Sequence, residues 1–379
     1  MARVDDRRVS RSGAHDERHR RRENASMGNW QDNRILDLFG IELPIIQAPM
    51  AGATTPEMVI ATSEAGGLGS LPGAMLSVEQ MKAALDRIRG ATTRPINLNF
   101  FAHTDPAPDP AGQLAWRAAL ARYYVELGLD PAEPVPSAGR APFNAAYCEV
   151  VEAYRPEVVS FHFGLPEAAL LARVKRAGAR VIASATTVRE ARWLVERGVD
   201  AVIAMGYEAG GHRGNFLSDD MSTQVGTLAL VPQIVDAVPV PVIAAGGIAD
   251  PRGVRAAFAL GASAVQVGTA YLLTPEAKVS AFHRDALRTA GEDETALTNL
   301  FTGRPARGIA NRLMREIGPM SKVAPAFPTA GGALAPLRAV TEKTGRSDFS
   351  NMWSGQAARL AREMSSAALT RYLVEADAS

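Results

Sequence analysis

One histidine stands among glycines in a segment suited to acid–base chemistry. The segment reads Gly210-Gly211-His212-Arg213-Gly214 and follows a predicted strand that ends near Met205. Glycines leave an imidazole open to a small ligand from several sides, and its ordinary pKa of about 6.5 suits proton transfer at neutral pH. We therefore predict that His212 is catalytic. A histidine that only caps a loop carbonyl is the alternative.

A second histidine follows another predicted strand. In Ser160-Phe161-His162-Phe163-Gly164, strand alternation puts Ser160 and His162 on one side and both phenylalanines on the other. If the phenylalanines face helices, His162 faces the inside of the sheet near its C-terminal end. There it either contacts substrate or is a buried histidine with its hydrogen bonds satisfied. His103, just beyond an earlier strand, is predicted to be a loop residue.

Two loops of small residues are candidate phosphate sites. Ala245-Gly246-Gly247-Ile248-Ala249-Asp250 follows one predicted strand, Gln266-Val267-Gly268-Thr269-Ala270 follows the next, and each is predicted to open a helix. Glycine lets backbone N–H groups approach a phosphate, and a helix N-terminus adds a favourable dipole. Tight packing of the turns is the alternative. No Lys or Arg follows in the arrangement typical of nucleoside triphosphate loops.

Predicted strands and helices, which must position these segments, alternate regularly along the chain. Short apolar runs are each followed by a helical pattern, which indicates a parallel sheet covered by helices. Eight such units favour an α/β fold of the closed (β/α)8 type, a TIM barrel, whose active site lies at the C-terminal ends of the strands. The predicted strands are 44–47, 67–70, 95–100, 158–161, 180–183, 201–204, 240–245 and 264–267. The predicted helices are 56–65, 78–89, 167–177, 188–197, 228–237, 252–260 and 276–289.

Two longer segments depart from this repeat. Residues 101–154 form an insertion after the third strand, with Pro-rich edges and a helical centre at 114–127. Residues 291–379 form a C-terminal extension that we predict to be helical. We expect both to lie over the C-terminal ends of the strands, so that residues 27–379 make one barrel domain.

Composition excludes several classes of protein. The chain has 379 residues with 41 basic and 40 acidic side chains, and no apolar run approaches the roughly 18 uncharged residues of a membrane span. The single cysteine, Cys148, rules out an intramolecular disulfide and a cysteine metal cluster, so a cytoplasmic location is expected. Residues 1–26 are rich in Arg and poor in large apolar residues, which predicts a disordered tail. The remaining chain is close to neutral, which argues against a specific nucleic-acid groove.

Taken together, the ordered motifs of the chain resemble the FMN-dependent nitronate monooxygenases. Besides the histidine and glycine segments, the resemblance rests on Gln47-Ala48-Pro49-Met50-Ala51-Gly52, Glu64-Ala65-Gly66-Gly67-Leu68-Gly69 and Pro95-Ile96-Asn97-Leu98-Asn99-Phe100-Phe101, and it runs from about Ile35 to Leu373. It implies a TIM barrel with FMN at its C-terminal mouth. It also implies oxidation of alkyl nitronates by molecular oxygen to a carbonyl compound and nitrite, without NAD(P)H. No metal site is implied.

The resemblance assigns individual roles. His212 matches the catalytic histidine of the family, and a neutral nitroalkane substrate would need it as a base, whereas His162 stays a predicted substrate contact. At Met205 many relatives carry Gln, so the flavin contacts of this chain are expected to differ there. The residues expected to bind FMN are Met50, Asn99, Gly210, Gly246, Gly247, Gln266, Gly268, Thr269 and Gln356.

Two other functions remain open at this point. The flavin-dependent enoyl-ACP reductases, which consume NAD(P)H, share the barrel, the Gly-Gly-His loop and both phosphate loops. Segments 97–103, 160–164 and 351–356 favour nitronate monooxygenases over that branch. A flavin-binding protein without turnover is the third alternative. The physiological substrate and the oligomeric state stay open, a homodimer included, and no membrane partner is expected.

Overall fold

The structure is a computed structural model that describes residue 30, residues 32–134, residue 136 and residues 140–375. The chain divides into Met1–Asn33 and Arg34–Ser379, and the second unit holds every element named below. The predicted disordered tail, residues 1–26, lies outside the described residues.

The strands of Arg34–Ser379 fall into a barrel and a small separate sheet. They are β1 (Ile45–Gln47), β2 (Gly69–Pro72), β3 (Ile96–Phe101), β4 (Val158–His162), β5 (Arg180–Ala185), β6 (Ala201–Met205), β7 (Gly211–His212), β8 (Val242–Ala245), β9 (Ala264–Val267), β10 (Thr295–Thr298) and β11 (Ala306–Ile309). The barrel strands pair in parallel in the order β1-β9-β8-β6-β5-β4-β3-β2. Backbone hydrogen bonds from Gln47 N to Leu68 O (3.0 Å) and from Leu68 N to Ile45 O (2.9 Å) join β1 to β2. The predicted eight-stranded barrel is confirmed.

Helices cover the outside of the barrel and fill the two longer segments. They are α1 (Arg34–Phe39), α2 (Pro56–Glu64), α3 (Val78–Ala91), α4 (Pro110–Glu126), α5 (Ala145–Tyr154), α6 (Ala168–Arg176), α7 (Val188–Glu196), α8 (Thr227–Ala237), α9 (Pro251–Ala259), α10 (Ala281–Thr289), α11 (Arg312–Ile317), α12 (Ala335–Lys343) and α13 (Ser366–Tyr372). Side chains cap the N-termini of several of these helices. Thr55 accepts from Met58 N before α2, and Ser77 and Gln80 form a reciprocal capping box on α3.

The position of the apolar core shows which end of the barrel is free to bind a ligand. Inward side chains of the barrel strands, among them Val158, Ile182 and Ile243, form one buried cluster with Ile35 and Phe39 of α1. Helix α1 therefore closes one end of the barrel with apolar contacts. The other end, where the strands finish, is left for a ligand.

Two predicted elements differ from the structure. The helix predicted for 276–289 begins only at Ala281, because Ser280 takes the N-cap position in an extended conformation. The extension is not helical throughout, since β10 and β11 form an antiparallel pair in it. Strand β11 also pairs with β7, so that Ala306 lies opposite His212 and Arg307 opposite Gly211. This three-stranded sheet was not predicted.

The insertion and the extension pack against each other. Trp116, Leu120 and Tyr124 of α4 share a buried cluster with side chains of the extension, including Phe301 and Leu337. Two hydrogen bonds reinforce the contact: Trp116 Nε1 donates to Ala330 O at 3.0 Å, and Tyr124 OH donates to Ala333 O at 2.6 Å. The two segments therefore form one apolar layer rather than two independent additions.

Within the described residues, no helix is both long and apolar enough to cross a membrane. The same residues gather no cluster of three or more His, Cys, Asp or Glu side chains that could hold a metal ion.

Candidate active site

A cavity of about 400 Å³ lies at the C-terminal ends of the barrel strands, and residues at or just after all eight strands line it. Cavities of this size are typical of small-molecule sites. Ten of the eleven predicted site residues line it: Met50, Asn99, His162, Gly210, His212, Gly246, Gly247, Gln266, Gly268 and Thr269. Gln356 is not among the lining residues; its backbone N donates to Glu208 O at 3.0 Å, while its neighbours Gly355 and Ala357 do line the cavity.

His212 sits on β7 with its imidazole enclosed by aromatic rings. Its ring centroid lies 5.3 Å from that of Phe327, 5.5 Å from that of Trp353 and 6.1 Å from that of Phe101. Its Nε2 lies 3.0 Å from Thr302 Oγ1. Burial first, and then the charge of Arg140, holds the pKa of His212 well below its ordinary value. The imidazole is therefore neutral at physiological pH.

His162 lies beside His212, but both of its ring nitrogens are engaged. Its Nε2 lies 3.2 Å from His212 O, and because a carbonyl oxygen only accepts, Nε2 carries the proton. Its Nδ1, 3.0 Å from Ser184 Oγ, then accepts from that hydroxyl. Burial lowers the pKa of His162 to about 3. The side chain of His162 thus fixes the backbone of His212, the candidate base.

The strand alternation predicted for β4 breaks at its last residues. Phe161 packs away from the barrel axis, with its ring centroid 5.2 Å from that of Phe143. Phe163 does not follow it, because its backbone φ of 71° turns the chain. Its ring instead lies 4.4 Å from His162 and 6.0 Å from His212, measured between centroids. Phe163 therefore does not lie on the same side as Phe161, where strand alternation would place it, and the residue belongs to the wall around the histidines.

His103, predicted to be a loop residue, is buried behind the same wall. Its ring centroid lies 4.8 Å from that of Phe327, and its Nε2 lies 3.6 Å from Asp105 Oδ1. Burial lowers the pKa of His103, against the influence of Asp105. It does not line the cavity that contains His212.

Among the described residues, four histidines whose pKa is lowered by burial make the stability of the protein depend on pH, and His103 is one of them. The pKa of His283, like that of His162, is lowered by burial, here to about 4, and the pKa of His212 is lowered as well. The unfolded chain binds protons at these sites near pH 6.5, whereas the folded chain resists them. The free energy of unfolding should therefore be highest above pH 6.5 and fall as the pH drops towards 4, by up to about 1.4 kcal/mol per pH unit for each histidine.

Urea unfolding at pH 7.5 and at pH 5.5 measures this dependence. The His283→Gln variant keeps a donor for Trp353 O, which His283 Nε2 contacts at 3.1 Å, and should show a smaller difference between the two pH values. Equal stability of the wild-type protein at both pH values would contradict the expectation.

Arg213, next to His212, was not predicted to matter, yet it is fully buried. Its guanidinium donates to Gly206 O at 2.6 Å, to Met205 O at 2.9 Å and to Gln224 Oε1 at 3.0 Å. It thereby fixes the loop between β6 and β7. The only signal in the sequence is an Arg placed between glycines, which does not distinguish a buried structural residue from an exposed one.

We expect the Arg213→Met variant to lose about 2 to 4 kcal/mol of unfolding free energy, because two carbonyls and an amide lose charged hydrogen bonds. Urea denaturation provides the measurement. The matched control is Arg288→Met, which removes an exposed arginine paired with Glu363 at 2.6 Å and should cost less than about 1 kcal/mol. A similar loss in both variants would show that Arg213 has no special role.

The two glycine loops differ in what surrounds them. A Cβ on Gly246 would come within 2.9 Å of Thr227 Oγ1, and one on Gly210 within 2.5 Å of Gly355 N, so these two glycines are required by packing. A Cβ on Gly268 would make only ordinary contacts, the nearest being 3.4 Å from Ala48 Cβ. Gly247 needs its glycine for a different reason, a φ of 71°.

The first loop opens helix α9, as predicted, but the N-terminus of that helix is already capped, and the second loop opens no α-helix. The Asp250 carboxylate already accepts from Arg252 N and Gly253 N at the start of α9. After Gly268 the chain forms a 3-10 turn, Thr269–Leu273, instead of an α-helix. The backbone N–H groups of Gly247 and Gly268, however, have no hydrogen-bond partner among the described residues. These two amides are the candidate contacts for a phosphate.

The cavity fits FMN on observations of this chain. The unpaired amides of Gly247 and Gly268 suit a phosphate. The Oε1 atom of Gln266 is buried without a donor in the described part of the chain, as suits an N–H group on the polar edge of a flavin ring. Asn99 Nδ2 is already used, since it donates to Ser160 Oγ at 2.9 Å.

Positive charge surrounds the cavity wall near His212. Arg140 lines the cavity, and burial and the nearby charge of Arg338 lower its pKa. No carboxylate among the described residues pairs with Arg140. Arg304 lies with its Cζ 4.2 Å from the Phe163 ring centroid, and its Nε is buried without a hydrogen-bond partner in the same part of the chain. The site therefore favours an anionic ligand.

Comparison with known proteins agrees with these features. The sequence profile of the family described as nitronate monooxygenase matches residues 32–376. A nitronate monooxygenase of Pseudomonas aeruginosa is 41% identical over 345 residues, which cover 90% of this chain and 98% of that protein. The solved nitroalkane oxidase of Streptomyces ansochromogenes is 38% identical with a TM-score of 0.81, covering 90% of this chain and 96% of that one. FabK of Thermotoga maritima is 29% identical with a TM-score of 0.67, over 90% and 94% of the two chains. The chain therefore belongs to the nitronate monooxygenase family of oxidoreductases.

Proposed function

We propose that this enzyme uses FMN and molecular oxygen to oxidise alkyl nitronates to a carbonyl compound and nitrite, without consuming NAD(P)H. One observation carries this function: a neutral histidine, His212, lines a cavity whose wall holds a guanidinium, Arg140, with no carboxylate partner in the described residues. A nitronate is an anion, so its charge complements that guanidinium. Family membership supports the same reaction class.

In this proposal FMN is held by the two glycine loops and by Gln266, with Met50, Asn99, Gly210, Gly246 and Thr269 around it. When bound, FMN supplies the redox chemistry, accepting electrons from the electron-rich carbon–nitrogen group and passing them to oxygen. Gln356 was predicted to bind FMN. Because the residue does not line the cavity, the proposal gives its side chain no contact with FMN and leaves only its backbone to support the site.

The side chains of this chain would bind, orient and deprotonate the substrate. His212 would accept the α-proton of a neutral nitroalkane, while a substrate that arrives as the nitronate needs only to be held. The field of Arg140 and Arg304 stabilises the anion in either case. His162 would support the site through His212 O instead of binding substrate directly, which narrows the role first predicted for it.

We also propose that the insertion 101–154 and the extension 291–379 cover the mouth of the barrel. Arg140 of the insertion lines the cavity, and Phe327 of the extension lies near His212. The apolar rings of Phe327 and of Phe101, at the end of β3, would exclude water. Exclusion of water lowers the local dielectric constant and so strengthens the attraction between the arginines and an anion.

An anaerobic titration tests the function. The purified protein should be yellow, and addition of ethylnitronate without oxygen should change the flavin absorbance, whereas NADPH should leave it unchanged. In air, nitrite should accumulate. Reduction by NADPH with no response to the nitronate would instead support the enoyl-ACP reductase alternative, and no response to either would support a binding protein without turnover.

A further inference from the structure

Thr302 is a buried residue of the extension that contacts the candidate base. It lies in the turn between β10 and β11, and its Oγ1 is 3.0 Å from His212 Nε2. Nothing in the sequence marks this threonine, which is separated from His212 by 90 residues. Because β11 pairs directly with β7, the hairpin that carries Thr302 is fixed relative to the histidine.

The hydrogen bonds around Thr302 have one consistent direction. Its Oγ1 also lies 3.4 Å from Arg304 O, an atom that can only accept. Among the described residues, the Thr302 hydroxyl is the one donor to that carbonyl. A hydroxyl has a single proton, so donation to Arg304 O leaves the Thr302 oxygen to accept from His212. The proton of the neutral imidazole then sits on Nε2.

A neutral imidazole with its proton on Nε2 has its lone pair on Nδ1. Nδ1 of His212 has no hydrogen-bond partner among the described residues, and the side chain lines the cavity. The backbone of the same residue is held independently, since His162 Nε2 donates to His212 O at 3.2 Å. Thr302 thus restrains the ring of His212, and His162 restrains its backbone. Nδ1 remains available to substrate.

We propose that Thr302 is a positioning residue that keeps the proton of His212 on Nε2, so that Nδ1 is the nitrogen that accepts the α-proton of a nitroalkane. In that step the C–H bond breaks, its electron pair forms the C=N bond of the nitronate, the nitro oxygens take the negative charge and Nδ1 takes the proton. The proton-transfer part rests on the proposed function. The tautomer part does not.

Imidazole ¹⁵N NMR of the flavin-loaded protein, labelled on histidine rings, reads the tautomer directly. The His212→Asn variant identifies the signals of His212. We expect a protonated Nε2 in the wild-type protein and in Thr302→Ser, which keeps the hydroxyl. We expect a mixture of both tautomers in Thr302→Val, which keeps the shape but removes the hydroxyl. A protonated Nδ1 in the wild-type protein, or an unchanged pattern in Thr302→Val, overturns the assignment.

Kinetics provide the second readout. With a neutral nitroalkane, Thr302→Val should lower turnover about tenfold, which corresponds to about 1.4 kcal/mol and is within the range of one hydrogen bond, and Thr302→Ser should restore most of it. With a preformed nitronate, Thr302→Val should lose less. Equal losses on both substrates would overturn the positioning role in proton transfer. If neither substrate is oxidised by the wild-type protein, the proposed function fails, while the NMR result still decides the tautomer.

Discussion

Replacement of His212 by Asn is expected to lower turnover of a neutral nitroalkane by about 100- to 10,000-fold, the usual contribution of a general base. Only the neutral substrate needs to lose an α-proton, so a preformed nitronate should keep much more of its rate. Asn is too short to reach Thr302 Oγ1, which His212 Nε2 contacts at 3.0 Å, but the backbone pairing of β7 with β11 should preserve the loop. Steady-state rates on nitroethane and on ethylnitronate measure the difference.

A second buried histidine provides the control for this variant. His103 contacts the same Phe327 ring but does not line the cavity, so His103→Asn should change both rates by less than about threefold. Equal losses on the two substrates in His212→Asn would exclude the base role and leave substrate binding.

The Gly268→Leu variant is expected to purify without bound flavin while the barrel remains folded. A leucine side chain there would extend into the cavity beside the amide that we assign to the phosphate. If the phosphate loses both of the charged hydrogen bonds that we assign to it, at about 1.5 to 3 kcal/mol each, FMN binding should weaken by about 100-fold or more. Flavin absorbance after purification and a titration with FMN measure the effect, and circular dichroism reports the fold.

Two glycine variants separate loss of flavin from loss of structure. Gly268→Ala adds only a Cβ with ordinary contacts and should keep the flavin. Gly90→Leu adds the same side chain at a glycine of α3 that has open space around it, and should remain yellow. A yellow Gly268→Leu protein with unchanged FMN affinity would show that the phosphate lies elsewhere.

The barrel could be predicted because its strands are short, continuous buried runs separated by amphipathic helices. In β3, for example, all six residues are buried, and a pattern of this kind is local in the sequence. The small sheet could not be predicted by the same reasoning. Strand β7 has two residues and β11 has four, and they pair across a long stretch of chain. Such pairing depends on tertiary packing, which periodicity does not report.

The site was predictable in its residue types but not in their surroundings. Motifs located His212 and the glycine loops correctly at the strand ends. The turn at Phe163 depends on a backbone angle that phenylalanine rarely adopts, and the sequence indicates it only through the glycine that follows. Arg140 and Thr302 lie in segments without a recognisable pattern, so only the folded chain shows that they approach the candidate base.

The pairing of β7 with β11 has a consequence for how the enzyme loses activity. A local opening of the hairpin formed by β10 and β11 would release His212 from its strand partner while the eight barrel strands stay paired. Such partial openings require less free energy than global unfolding and are detected by hydrogen exchange. We therefore expect loss of activity on heating or in denaturant to report opening of the hairpin before unfolding of the barrel, so that residual activity would underestimate the amount of folded barrel.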